Sequence, residues 1–424
     1  MAEEAAGAAQ ATSMAAGMAA VLPTGLSAAR PALIRALNEQ LLLEHIRSSG
    51  PYSRADLARV SGLSKPTVSL ALGNLERAGL VRLAGHRTGM PGRTAVLYEV
   101  RPEAGFVLGL DIGLRYLRGA DADLAGVVRA RVSAPVRAAT VGDRVAELVD
   151  LADVLCARAG IDRSAITQTV VGSPGVYDPQ RNLMALTGGL PDWDRPEALA
   201  GLRAAFGPAL TIENDVDAAA LAEQALGVGK EADSFAFVHV GTGIGMGLVL
   251  GGRLVRGVHG AAGEIAFLPL GGDPPAWSDA ALEEVIDPAE TRRRGTLETA
   301  AGADGIVRAA HRRGLTGLAT AHSVFAAAAA GDRRAAAVVL REARLVAAAV
   351  CCVIAVADPA LVVLGGGIGQ APGFAEKVTA ELAAIAPVLP EVRVSALGTD
   401  VVVNGCLAEA VSLAWTQLTT ATAP

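Results

Sequence analysis

Residues 235–267 read FAFVHVGTGIGMGLVLGGRLVRGVHGAAGEIAF, and the order of apolar runs and glycines in this stretch decides how the chain folds. The run over 235–240 is short and apolar, which predicts a buried strand. It breaks at Gly241-Thr242-Gly243-Ile244-Gly245, and a second apolar run follows over 246–250. Gly251-Gly252 then joins it to Arg253-Leu254-Val255, so the spacing predicts a β-hairpin. Glycines alternating through a strand-to-strand turn let backbone N–H groups face outward, a geometry that can cradle a phosphate. The same glycines also serve ordinary hairpins.

The flanks narrow the choice. Upstream, a strand over 210–213 delivers Asn214 and Asp215 to its carboxyl end, where α/β folds place ligands. A carboxylate there can take a hydroxyl proton or bind an array of hydroxyls. Asp215 or Asp217 can instead cap the helix predicted over 218–226. Downstream lies Gly260-Ala261-Ala262-Gly263-Glu264. This order of motifs, N-D, then GTGIG, then G-x-A-G-E, resembles the ROK family of sugar kinases and sugar-responsive repressors. The likeness runs from about residue 32 to the end of the chain.

The resemblance implies an α/β fold in which a winged helix–turn–helix precedes a two-lobed actin-like ATPase (ribonuclease H-like) domain. It implies that Asn214, Asp215, Glu264 and Glu298 contact a sugar, Asp215 being the general base in the family's kinases. It makes Asp111, Gly113, Gly241, Thr242, Gly243, Gly245 and Gly366 a phosphate and nucleotide loop set. Several family features are missing. Where the kinases continue D-x-G with G-T-K, this chain reads Leu114-Arg115-Tyr116. Phe267 replaces the His that binds sugar and zinc. In LTGGLPDW (186–193), Gly189 replaces a sugar-binding Asn, and Trp193 is left to pack or to stack on ligand. Thr296 stands at the last Cys of the zinc motif, and no other cysteine is near. The expectation is a regulator without zinc or ATP as cofactor, and not an enzyme. The alternative is a hexose kinase carrying an extra head.

That head is read from residues 30–100. Apolar residues from Leu33 to Ile46 fall at helical spacing behind Pro31, and Ser48-Ser49-Gly50-Pro51 ends the helix. Ser53 and Ser64 can cap two further helices around Gly62, the plan of a helix–turn–helix. Strands over 80–84 and 95–100 then flank a wing. Ser64, Lys65, Thr67 and Ser69 near the recognition helix's N-terminus are candidate DNA contacts, with Arg87 and Arg93 on the wing. The other meaning of these residues is a solvated polar face.

Charge favours DNA. Residues 30–100 hold ten Lys/Arg against five Asp/Glu, and residues 1–29 carry −2. Of the net −6, residues 101–424 therefore carry −9. A small basic module on a large acidic body predicts an anionic partner for the module alone.

The rest of the chain adds less. Residues 1–29 are Ala/Gly-rich and aperiodic, read as a disordered tail. At 424 residues the chain exceeds a single core. Strands are predicted over 106–110, with Asp111 stabilising the turn behind it, and over 166–171 and 361–364. Helices are predicted over 141–158, 335–356 and 401–418. Cys156, Cys351, Cys352 and Cys406 lack disulfide or metal spacing. No apolar stretch of about 20 residues is free of charge, and no basic n-region precedes Arg30. These features predict a cytoplasmic protein and no membrane, and the family resemblance implies a homodimer or homotetramer that binds a palindromic operator and a sugar.

Overall fold

A computed structural model describes residues 31–87, 95–187, 190–270 and 288–421. The chain divides into two compact units. Among the described residues, one holds 31–101 with 416–421 and the other 102–415. The last six therefore group with the N-terminal unit, whereas the sequence reading counted them in the body.

In the N-terminal unit, α1 (Pro31–Ser49), α2 (Arg54–Ser61) and α3 (Lys65–Arg77) precede the strands β2 (Val81–Arg87) and β3 (Ala95–Val100). A two-residue strand, β1 (Tyr52–Ser53), pairs with β3 and escaped the sequence reading because two residues carry no periodicity. Leu42, Leu43, Ile46, Leu57, Val68, Leu72 and Leu75 form the buried face, while Ile34, Leu37 and Leu41 are exposed. Ser53 and Asp56 form a reciprocal capping box on α2. Gly62 ends that helix in the left-handed region, at φ +70°, as the turn requires. Ser64 caps α3, its Oγ accepting from the Thr67 N–H at 3.3 Å. The wing tip, with Arg93, lies outside the described residues.

The body begins with a five-stranded sheet of order β10-β7-β4-β5-β6. Its members are β4 (Phe106–Ile112), β5 (Tyr116–Asp123), β6 (Val128–Pro135), β7 (Ile166–Ser173) and β10 (Leu210–Asn214). The helices α4 (Val141–Ala159) and α5 (Pro196–Phe206) belong to the same half, with a small hairpin of β8 (Val176–Asp178) and β9 (Leu183–Ala185). β4, β7 and β10 run parallel. Most of β4 and β7 is buried, which explains their near-continuous apolar sequence. Asp111 lies inside β4, not in the turn behind it. That turn is closed by the Gly113 N–H donating to the Tyr116 carbonyl at 3.1 Å. Trp193 is 1% exposed and donates its indole N–H to Ser173 Oγ at 2.9 Å, so it packs and does not stack on a ligand.

After α6 (Asp215–Leu226) a second sheet has the order β13-β12-β11-β14-β15. The predicted hairpin is present as β11 (Phe235–Val240), β12 (Ile244–Leu250) and β13 (Arg253–Leu254). Helices α7 (Pro288–Arg294), α8 (Thr296–Ala300), α9 (Gly302–Arg312), α10 (Ala321–Ala329) and α11 (Arg333–Ala357) form the crossover to β14 (Leu361–Gly365), which lies parallel to β11. The short helix α12 (Gly366–Gly369), α13 (Phe374–Ala383) and β15 (Glu391–Val394) complete this half. The final helix, α14 (Val401–Ala421), returns to the first sheet. Its Cys406 lies against the Leu110 carbonyl and its Leu407 against Gly109. Among the described residues only the stretch 398–419 is long and apolar enough to cross a membrane. Gly405, Cys406 and Leu407 within it instead pack on the body.

Gly405 decides how closely α14 approaches α6. A Cβ there would stand 1.7 Å from the Ala218 carbonyl oxygen, which is backbone and cannot yield cheaply. Gly405→Ala is expected to destabilise the body by about 1–3 kcal/mol, seen as a lower urea midpoint at unchanged slope.

Candidate functional site

A cleft of about 1100 Å³ opens between the two sheets of the body. The carboxyl end of β10, the β11–β12 turn and the segment 260–267 all reach it, because parallel strands deliver their following loops to one edge. Of the residues singled out from sequence, Asp111, Gly113, Asn214, Asp215, Thr242, Gly243, Gly245, Glu264, Glu298 and Gly366 line it, and Gly241 does not.

Asp111 is 6% exposed, and its Oδ2 accepts from Arg118 Nη1 at 3.2 Å, the residue opposite it on β5. Burial raises its pKa to about 6, with Arg118 pulling against that. Asp215 opens α6. Burial raises its carboxyl to about 7, and the charges of Asp111 and Glu264 push the same way. Glu264 is also raised to about 7, first by burial and then by Glu298. Three acids confined in one cleft thus hold protons far more firmly than free carboxylates do.

Asn214 departs from expectation. The helix cap assigned to Asp215 or Asp217 is made by Asn214, whose Oδ1 accepts from the N–H groups of Val216 (2.8 Å) and Asp217 (3.1 Å). Its Nδ2 donates to the Gly175 carbonyl at 2.9 Å, so one amide proton is left for a ligand. The side chain chiefly welds the β7 and β10 loops together. Asp217 is buried, with Oδ1 lacking a partner and its pKa pushed well up by desolvation.

Glu298 sits where α8 begins. Its Oε2 accepts from the Ile244 N–H at 3.2 Å and its Oε1 from Arg294 Nε at 2.9 Å. Arg294 also reaches Asp304 Oδ2 at 3.0 Å. Phe267, in the position of the family's His, is 37% exposed at the cleft. Gly189 and residues 271–287 of the expected zinc segment lie outside the described residues. Among the described residues no group of three or more His, Cys, Asp and Glu side chains could hold a metal ion.

His239 and Arg294 are among the lining residues missed from sequence. His239 lines the cleft near the end of β11, and burial lowers its pKa, so the ring is neutral at pH 7. A polar residue breaking the apolar run FAFVHV was the available signal. Arg294 lies in Arg292-Arg293-Arg294, a charge run whose meaning depended on which side faced inward.

In the N-terminal unit, Lys65 and Ser69 are exposed on the first turns of α3, whereas Ser64 and Thr67 bond each other at 2.8 Å as part of the cap. Arg87 turns back to Asp56, Nη1 to Oδ2 at 3.0 Å, and its side chain stays about half exposed.

Two α/β lobes over a carboxyl-lined cleft define an actin-like fold of the sugar-kinase type. The chain belongs to the ROK family, whose model matches residues 107–405. A winged helix-turn-helix DNA-binding model matches residues 37–82. The xylose repressor of Bacillus subtilis is 25% identical over 245 residues, 58% of this chain and 63% of that protein. The chain thus spans under two thirds of the curated repressors it matches. A solved ROK family transcriptional regulator, described as a homolog of the E. coli MLC protein, superposes with a TM-score of 0.75 at 23% identity. That match covers 92% of this chain and 99% of the other. A ROK hexokinase from Thermus thermophilus matches 72% of this chain and 97% of its own, with a TM-score of 0.59 at 28% identity.

The raised carboxyls make stability depend on pH in a definite direction. Glu264 titrates at about 7 in the fold against an ordinary 4.5, so its neutral form stabilises the fold fully below about 4.5. That contribution is lost as pH rises through about 7. Unfolding free energy should fall by on the order of 2 kcal/mol between about pH 5 and about pH 7.5 through this group. Denaturation curves of Glu264→Gln should show a correspondingly flatter dependence.

Proposed function

We propose that this protein is a DNA-binding transcriptional repressor of carbohydrate genes, controlled by a sugar bound between the lobes of its ROK domain. The observation that carries the reading is a basic winged helix–turn–helix on the same chain as an acidic ROK body. The repressors it resembles support the same reading. Asp215 and Glu264 would bind the sugar's hydroxyls, with Glu298 beside them and Asn214 holding the loop. Ligand would favour one arrangement of the two lobes, and a homodimer or homotetramer would pass this on as a change in the spacing of its heads on a palindromic operator. Such a protein works in the cytoplasm. It would use no ATP, because Leu114-Arg115-Tyr116 replaces the kinase G-T-K, and no zinc, because Phe267 and Thr296 stand where the family has zinc ligands.

One observation favours a kinase instead: Asp215 lies in the cleft with its pKa raised to about 7, suited to a general base. ATP-dependent phosphorylation of a hexose, lost in Asp215→Asn, would establish that reading.

The deciding experiment is a gel shift on DNA upstream of the protein's own gene, repeated with a panel of free sugars. Binding should weaken steeply with salt, and one sugar should alter it. Lys65→Ala should weaken binding on all sequences and reduce the salt slope by about 1. No binding to that DNA or to wider genomic fragments would overturn the repressor.

A further inference from the structure

We propose that the open edge of β15 is a contact between two copies of this chain, the strands pairing antiparallel about a two-fold axis at Val392. This places the interface of the homo-oligomer proposed above and rests on that reading.

Among the described residues β15 ends the second sheet, where it pairs in parallel with β14. The bonds to that neighbour fix which backbone groups are left over. The Glu391 N–H donates to the Ala360 carbonyl at 3.2 Å, and the Ser395 N–H to the Leu364 carbonyl at 2.9 Å. Successive strand residues alternate, so the N–H and carbonyl groups of Val392 and Val394 point to the free edge. Such a row is a template for another strand.

Charge selects the partner and the register. Val392 packs against the core of its own half, which turns Glu391 and Arg393 to the opposite face. There the Arg393 Nε donates to Glu391 Oε1 at 2.7 Å. With the axis at Val392, the two Val392 residues exchange N–H and carbonyl bonds, and each Val394 N–H meets the Pro390 carbonyl of the second copy. Glu391 of each copy then lies opposite Arg393 of the other, in the kind of pair where Cα atoms approach to about 4.5 Å. An axis at Arg393 would set that cation against itself, and one between Val392 and Arg393 would face outward groups with inward ones. The strand is thus complementary to itself, as a two-fold contact requires. Pro390 has no N–H and ends the ladder, so the pairing closes on two copies. Beside the strand, Ile385, Val388 and Leu389 are 43%, 57% and 50% exposed. They supply apolar area toward the roughly 800 Å² per copy of a stable interface. The edge strand β6 lacks this pattern. Its charged residues are Arg129 and Arg131, already bonded to Asp123 and Asp400 of the same chain.

The test is light scattering of the full-length protein behind size-exclusion chromatography, at micromolar concentrations. Four variants are compared with wild type: Glu391→Arg, Arg393→Glu, the two combined, and Val394→Pro. The proline removes an N–H that faces the free edge and breaks no bond to β14. Wild type is expected to associate. Each single charge reversal and the proline should halve the mass, raising the dissociation constant about tenfold or more. The combined reversal restores opposite charges and should return association to within about threefold of wild type. Thermal melts near that of wild type would verify folding. An associated wild type matched by every variant would overturn the β15 contact and leave the homo-oligomer reading standing. A folded double variant that stays dissociated would overturn the register. A monomeric wild type would overturn both readings and leave the edge to a strand of another protein.

Discussion

Arg256 holds the architecture of the cleft together. Its Nε donates to Glu213 Oε2 at 2.8 Å, and its Nη2 reaches Glu213 and also Glu409 Oε1 at 3.0 Å. Glu213 is the 5%-exposed residue just before Asn214 on β10, and Glu409 belongs to α14. The Arg256 carbonyl accepts from the Ala262 N–H, closing the loop that presents Glu264. One guanidinium therefore ties the Asp215 strand, the Glu264 loop and the last helix into a single frame. Burial pushes the Glu213 carboxyl up, and Arg256 pulls it back down. A carboxylate this deep is tolerated only with its partner, since losing one member leaves an uncompensated buried charge.

Within that frame the acids take different parts according to what already bonds them. Asp111 is held by Arg118 and Glu298 by Ile244 and Arg294. Among the described residues Asp215 and Glu264 have no comparable cationic partner, and burial raises both carboxyls to about 7. Carboxyls without cationic partners can both donate to and accept from an uncharged polyhydroxyl ligand of the kind proposed above. Glu342 shows that the same pressure acts outside the cleft. It is buried on α11, accepts from the Gly302 N–H at 3.0 Å, and is raised by desolvation to about 7. A raised carboxyl alone therefore does not mark a ligand site; position in the cleft does.

Strands with unbroken apolar runs, helices opened by Ser53, Ser64 and Pro31, and the glycine hairpin at 241–252 were legible because each depends on neighbours a few residues away. The capping box of Ser53 with Asp56 and the left-handed Gly62 are local in the same sense. β1 and β6 were not legible. The first is too short for a pattern, and the second alternates exposed and half-buried residues on an edge.

The sequence by itself determined the two modules, the family and most of the residues expected at the cleft. Those follow from periodicity, capping and motif order along the chain. Only the tertiary structure decided what each site residue does there. Asn214 became a structural residue because its Oδ1 caps α6 while its Nδ2 donates to the Gly175 carbonyl at 2.9 Å. The glycine turn became occupied because Glu298, 54 residues beyond Ile244, folds back onto it. Hydrogen bonds and charge pairs between distant segments leave no period in the sequence, so their partners are known only once the chain has closed.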